Sequence, residues 1–256
     1  IVNHTKVDAS FVYPEPEDIF RLTPDLIWIH DEPYQSQSAF LAYHVFRSAR
    51  EKGVKVLLNG QGADEYLGGY GQFTSARYAS MVKKIRIKPA IVDIRHLCRE
   101  QSISKSSVYS DIAYHLLPDR ARKCLTYLHV NSGSIRKLIN HRALGISPSH
   151  PFDVIPVKYG SVPEISEHLT FYSTLPKYLR WEDRNSMANS VEARVPFLDH
   201  RLVEFAYSLP DDYLERRGMT KRVMRQAFVG LLPEEIRLRK DKMGFISPQE
   251  VWQKTI

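Results

Sequence analysis

The sequence predicts an α/β domain that opens on a parallel sheet and continues as a mainly helical region. Three observations predict it: a strand, helix, strand succession at the start, a glycine-rich turn directly after the second strand, and the fading of strand signals beyond Tyr70. With 256 residues, the chain is long enough to bury a sizeable core in one large domain or two smaller ones. Hydrophobic residues make up 43% and charged residues 25%, with 12 Gly and 15 Pro, which excludes a disordered, collagen-like or low-complexity chain. No apolar run reaches the ~18 residues that a membrane-spanning helix needs.

The elements follow in order. Ala9 to Tyr13 reads as a short strand closed by Pro14 and Pro16. Ser38 to Arg50 reads as a helix, because Ala39, Ala42, Phe46 and Ala49 recur at helical spacing on one face, and Gly53 ends it. Val54 to Leu58 is a compact apolar strand that leads into Asn59-Gly60-Gln61-Gly62-Ala63-Asp64-Glu65. In parallel α/β sheets ligands bind at the carboxyl ends of strands, so the segment 59–65 is the first site candidate. Residues 1–70 are expected to form the carboxyl part of an α/β sheet, and 71–256 a helical region packing on it.

Further on, Asp199 is placed to cap a helix whose Leu202, Phe205, Ala206 and Leu209 make an apolar stripe ended by Pro210. Thr220 is placed to cap another, with Val223, Met224, Ala227, Phe228 and Leu231 toward the core and Lys221, Arg222 and Arg225 left for solvent or ligand. Residues 131–163, rich in Ser, Gly, Pro and His, read as an exposed connection. The chain begins at Ile1 with neither an initiator Met nor a leader, and is expected to be a fragment of a longer protein. Cys98 and Cys124 lack metal-ligand spacing, which fits a reducing, cytoplasmic setting.

The net charge is +7, and it is unevenly spread. Between Arg216 and Lys242 nine Lys or Arg face three acids, a focus of positive charge that suits a nucleoside triphosphate, a nucleic acid or a plain solvated face.

Three blocks carry candidate chemistry. Gly60 and Gly62 would let backbone N–H groups approach a phosphate or an adenine ring, and Asp64 and Glu65 beside them make sense if Mg²⁺ stands between carboxylate and phosphate. A tight turn before a helix N-terminus explains the same residues structurally. In the block from Leu179 to His200 charged and apolar residues interleave so closely that some charges should be buried and paired: Glu192 with Arg194 or Arg184, and Asp183 with Arg180, while Glu182 suits either a structural or a chemical role. The third block, Arg239 to Phe245, combines a basic run with a flexible Gly244, as a loop carrying a lysine over phosphates would.

Taken together, N-G-Q-G-A-D-E-Y-L-G-G-Y at 59–70, R-W-E-D-R-N-S-M-A-N-S-V-E-A-R-V-P-F-L-D-H-R-L-V-E-F at 180–205 and R-K-D-K-M-G-F at 239–245 closely resemble the C-terminal synthetase domain of the asparagine synthetase family. With D-E-P at Asp31 to Pro33, the resemblance covers nearly the whole chain. It implies an ATP-pyrophosphatase (adenine nucleotide alpha hydrolase-like) fold, truncated here at its N-terminus. It also implies activation of a carboxylate by ATP to an acyl-adenylate, followed by attack of glutamine-derived ammonia.

Residue by residue, the resemblance makes Asn59, Gly60 and Gly62 nucleotide contacts, Asp64 a Mg²⁺ ligand and Lys242 the lysine over the pyrophosphate with Lys240 as second choice, and it puts Glu182 near the position used as a general acid or base in family members that form β-lactams. Gln61, counted with Lys242 and Glu182 as catalytic, stands where many members carry an acid linked to forming the adenylate and others carry Gln; as an amide it cannot take a proton, so a base role falls elsewhere. The family's Ser-Gly-Gly-x-Asp-Ser pyrophosphate loop and the N-terminal cysteine of its glutaminase do not occur, and both are expected upstream of Ile1, leaving this chain inactive in isolation. The implied partners are ATP, aspartate or a similar carboxylate, and ammonia, without a membrane; a homodimer is among the assemblies expected. Amidation or ring closure of another carboxylate is the first alternative, and a nucleic-acid-binding module using 216–242 the second.

Overall fold

The computed structural model describes residues 2–100, 103–132, 143–145, 159–240 and 244–245. The chain forms two compact units, one from residues 1–63, 174–204 and 225–256, the other from 64–173 and 205–224.

The first unit is built on three helices, Pro16–His30, Ser38–Glu51 and Thr174–Ala188. Pro16 pre-sets the backbone at the start of the first, Glu17 and Asp18 complement its dipole, and Asp31 ends it in the left-handed conformation at φ 59°. Leu22 and Leu26 pack with Phe40 of the second helix into a core bordered by Ile19, Ile29, Leu41 and Tyr43. The second helix matches its sequence expectation to within one residue and buries Ala39, Phe40, His44 and Phe46. Gly53, at φ 73°, then turns the chain.

Strand Val56–Leu58 follows and pairs in parallel with Glu192–Arg194, Val56 opposite Glu192 and Leu58 opposite Arg194. The ladder extends at both ends: Glu192 N–H donates to the Lys55 carbonyl at 2.8 Å and Asn59 N–H to the Arg194 carbonyl at 2.8 Å. Backbone bonding thus fixes Asn59 at the carboxyl end of its strand. The strand expected at 9–13 does not form; Phe11 and Tyr13 are exposed, and these residues enter no ladder among the described residues. Alternation of side chains proposes a strand, but only a partner makes one.

In the second unit the helix Gly71–Lys83 is enclosed, with every residue from Phe73 to Met81 buried. It packs against Ile87–Glu100, Lys105–Leu116 and Val162–Glu167, its Tyr78, Ala79 and Met81 meeting Ala90, Ile94, Leu97, Val108 and Ile112. A small hairpin joins Glu215–Arg216 to Met219–Thr220 through Arg217 (φ 55°) and Gly218 (φ 79°), the two consecutive positive φ angles that a tight hairpin turn requires.

Asp199 caps the helix His200–Tyr207 as expected, accepting from the Arg201 N–H at 3.0 Å, but only Ala206 of the expected stripe is buried, with Leu202 and Phe205 exposed. Thr220 lies in a strand rather than at a cap, and the helix after it, Arg222–Ala227, has no buried residue; Leu231 is exposed. Helical periodicity identifies an apolar face without saying what covers it. Much of the expected connection at 131–163 lies outside the described residues, and its end is the start of the helix Val162–Glu167. Among the described residues no helix is long and apolar enough to cross a membrane.

Candidate active site

The strand Val56–Leu58 delivers Asn59 and Gln61 to the helix Thr174–Ala188, whose inward face carries Trp181, Glu182, Asn185 and Ser186. The Asn59 side-chain amide donates to Glu182 Oε1, and the Gln61 side chain also hydrogen-bonds this carboxylate. Glu182 is 6% exposed. Burial raises its pKa above the ordinary glutamate value, and the bonds from Asn59 and Gln61 oppose that rise without cancelling it. A buried carboxylate held by two neutral amides, with no cation in a salt bridge to it among the described residues, is suited to exchanging a proton.

The glycines of the turn differ in role. A Cβ at Gly60 would meet nothing, so the backbone there is open to close approach by a ligand. Gly62 has φ 95°, and a Cβ there would run into the Leu198 side chain. Gly69 closes against Asp64: a Cβ would strike its carboxylate, and Gly69 N–H donates to the Asp64 carbonyl at 2.8 Å.

Asp64 stands in the first turn of the short helix Ala63–Tyr66, where helix polarity favours an anion. Within the second unit its Oδ1 is 2.8 Å from Lys221 Nζ. Lys221, left for solvent or ligand by the sequence, is thus the partner of the expected Mg²⁺ ligand, in a left-handed conformation at φ 51° just after the hairpin. Glu65 is buried and accepts from the Tyr70 hydroxyl at 2.7 Å. No group of three or more His, Cys, Asp or Glu able to hold a metal occurs among the described residues. A single carboxylate at a position that already attracts a cation fits a Mg²⁺ ion carried by a nucleotide, since such ions take one or two protein carboxylates and complete their shell with phosphate and water.

The expected charge pairs are partly rearranged. Glu192 does pair with Arg194, at 2.7 Å, but both are exposed. Arg184 pairs with Asp31 at 2.6 Å and Arg180 with Glu32 at 2.9 Å, so the D-E-P segment ties down the helix that carries Glu182. Arg180 is therefore not the partner of Asp183, which is exposed. Lys240 is exposed beyond the helix Glu234–Arg237, and Lys242 lies outside the described residues. Much of the basic segment is engaged within the protein: Arg217 with Asp93, Lys221 with Asp64, Arg222 with the Asp212 carbonyl, Arg225 with the Arg237 carbonyl, and Arg237 with Glu234.

Fold and site define an α/β protein whose candidate chemistry is a buried carboxylate at the carboxyl end of a parallel strand. The sequence profile described as asparagine synthase matches residues 1–256, and the chain belongs to that family. It is 27% identical over 252 residues to asparagine synthetase [glutamine-hydrolyzing] 1 of Bacillus subtilis, covering 93% of this chain and 38% of that protein. Asparagine synthetase [glutamine-hydrolyzing] 2 of the same organism is 29% identical over 210 residues, covering 81% and 24%. Amidase chyE of Penicillium rubens is 23% identical over 288 residues, covering 98% and 40%. The chain thus spans two fifths or less of the length of these relatives.

Proposed function

We propose that this chain is the synthetase part of an ATP-dependent amide-forming ligase with an ATP-pyrophosphatase fold. In this reading it converts aspartate to asparagine through an acyl-adenylate, with ammonia released from glutamine by a glutaminase domain. The observation that carries it is Glu182, buried and bonded to Asn59 and Gln61 at the carboxyl end of a parallel strand. Residues 1–70 then contribute the strand Val56–Leu58 and its turn to the nucleotide-binding sheet, and the 71–256 region contributes the pairing strand Glu192–Arg194.

In the first half-reaction the substrate carboxylate attacks the α-phosphorus of ATP and pyrophosphate leaves. Asn59, the open backbone at Gly60 and the turn at Gly62 receive the nucleotide, and Lys242, with Lys240 beside it in sequence, neutralises the departing pyrophosphate. Asp64 would hold Mg²⁺, which supplies charge neutralisation between carboxylate and triphosphate. In the second half-reaction ammonia attacks the acyl carbon, the C–N bond forms and AMP departs. Glu182 takes the proton that the new amide nitrogen sheds, because Gln61 cannot, and its raised pKa brings it closer to the range useful for a general base.

A second reading, amidation or cyclisation of a different carboxylate, is favoured by the relative named as an amidase. Pyrophosphate release measured over a panel of carboxylates separates the two. Glu182→Gln is expected to lower turnover by about 100-fold or more in the complete synthetase; undiminished turnover refutes the assignment. The 256-residue chain alone is expected to lack aspartate-dependent ATP–pyrophosphate exchange, and robust exchange would show that it is self-sufficient.

A further inference from the structure

We infer that His30 and Asn185 form a latch that sets where Glu182 stands against Asn59 and Gln61, making both of them positioning residues for the site. The inference rests on the role proposed for Glu182. Asn185 lies on the same helix, three residues and about one turn beyond Glu182. It is completely buried, as is His30.

The hydrogen bonds determine one arrangement. Asn185 Nδ2 donates to the Ala39 carbonyl at 2.9 Å, which turns its Oδ1 toward His30. His30 Nε2 lies 3.2 Å from that oxygen, so Nε2 carries the ring proton. Burial lowers the His30 pKa and keeps the ring neutral, with a single proton to give. Its Nδ1 is consequently a buried lone pair with no hydrogen-bond partner. Arg180 of the Glu182 helix donates to the His30 carbonyl at 2.8 Å. The end of one helix and the middle of the other are therefore joined by side chain to side chain and side chain to backbone.

Filling space at the end of Pro16–His30 would need only an apolar side chain, which would leave no bare nitrogen in the core. The imidazole is explained by its bond to Asn185. Glu182 has the complementary need. Its hydrogen bonds come from two amides on a turn, so a small rotation of its helix would lengthen both.

The test uses the side-chain amide NMR signal of Asn59 in the full chain, with Glu182→Gln defining its position when the carboxylate is absent. His30→Leu is expected to move the signal toward that position, His30→Gln, which restores a donor, to return it most of the way, and Leu26→Ala, a core truncation one turn earlier, to leave it in place. Should His30→Leu fail to fold, Asn185→Ser is read in the same way. An unmoved signal in these variants, or an equal displacement by Leu26→Ala, overturns the latch. In the complete synthetase His30→Leu is expected to lower kcat about tenfold with the KM for ATP unchanged, again with rescue by His30→Gln; a rise in KM alone contradicts it. Full turnover by Glu182→Gln would refute the catalytic reading while the NMR result still decides the latch.

Discussion

Substituting Glu215 by Gln isolates one buried charge. Glu215 is fully buried, accepts from the Gly218 N–H at 2.7 Å, and has Oε2 3.7 Å from Arg77 Nη1. Arg77 is shared: it also bonds Asp93 at 3.3 Å and Asp212 at 2.8 Å, while Arg217 takes the other oxygen of Asp93 at 3.0 Å. Arg77 is thus shared among three carboxylates, and protonating Glu215 removes one of the charges it must balance. Burial is the main cause that pushes its pKa up, to about 7 from the ordinary 4.5.

A carboxyl raised in the folded state stabilises the fold fully below its unfolded pKa and loses that contribution as pH rises through the folded value. The window is therefore pH 4.5 to 7, and the loss across it is about 3 kcal/mol at about 1.36 kcal/mol per pH unit. Urea unfolding of wild type and Glu215→Gln at several pH values from 4.5 to 8 measures it. The amide can still accept from Gly218 and does not titrate, so the variant is expected to gain on wild type by about 3 kcal/mol between the two ends of the range. A stability difference between the two proteins that does not vary with pH would refute the reasoning.

Two further substitutions probe the turn and its cation. Gly62→Ala forces a side chain into φ 95° and against Leu198, with an expected cost of about 2–4 kcal/mol in urea unfolding; adding Leu198→Ala should relieve the collision while leaving the backbone strain. Lys221→Met removes one partly exposed ion pair from Asp64, and Mg²⁺–nucleotide affinity measured by calorimetry in the proposed complete synthetase is expected to tighten by up to about fivefold, the equivalent of about 1 kcal/mol. Weaker binding would mean that Lys221 itself contacts the nucleotide.

Local patterns in the sequence identified the parts whose structure is decided locally. The helix at Ser38, its Gly53 stop, the strand before Asn59 and the cap at Asp199 each follow from spacing or from one side chain acting within a few residues. Glu182 drew attention because charged and apolar residues interleave so closely from Leu179 to His200 that some of the charges had to be buried, and because that block resembles the family's. The strand Glu192–Arg194 could not be read in this way: Glu, Ala and Arg have weak strand preference, and its place comes from the ladder with Val56–Leu58. The pairs Lys221 with Asp64, Arg184 with Asp31 and His30 with Asn185 are likewise set by folding across long sequence separations. The apolar stripe after Asp199 was a true helix signal, but its burial depended on neighbours that no local pattern names.

The parallel pairing of Val56 with Glu192 has a kinetic side. Its closing loop comprises about half of the chain, and the entropy of bringing such distant segments together is lost before any contact compensates it. The Asn59–Glu182 encounter must therefore be a late event. A ribosome that has released only the first half of this polypeptide holds a strand awaiting its neighbour, with the Asn59–Glu182 bond deferred until the helix at Thr174 has emerged.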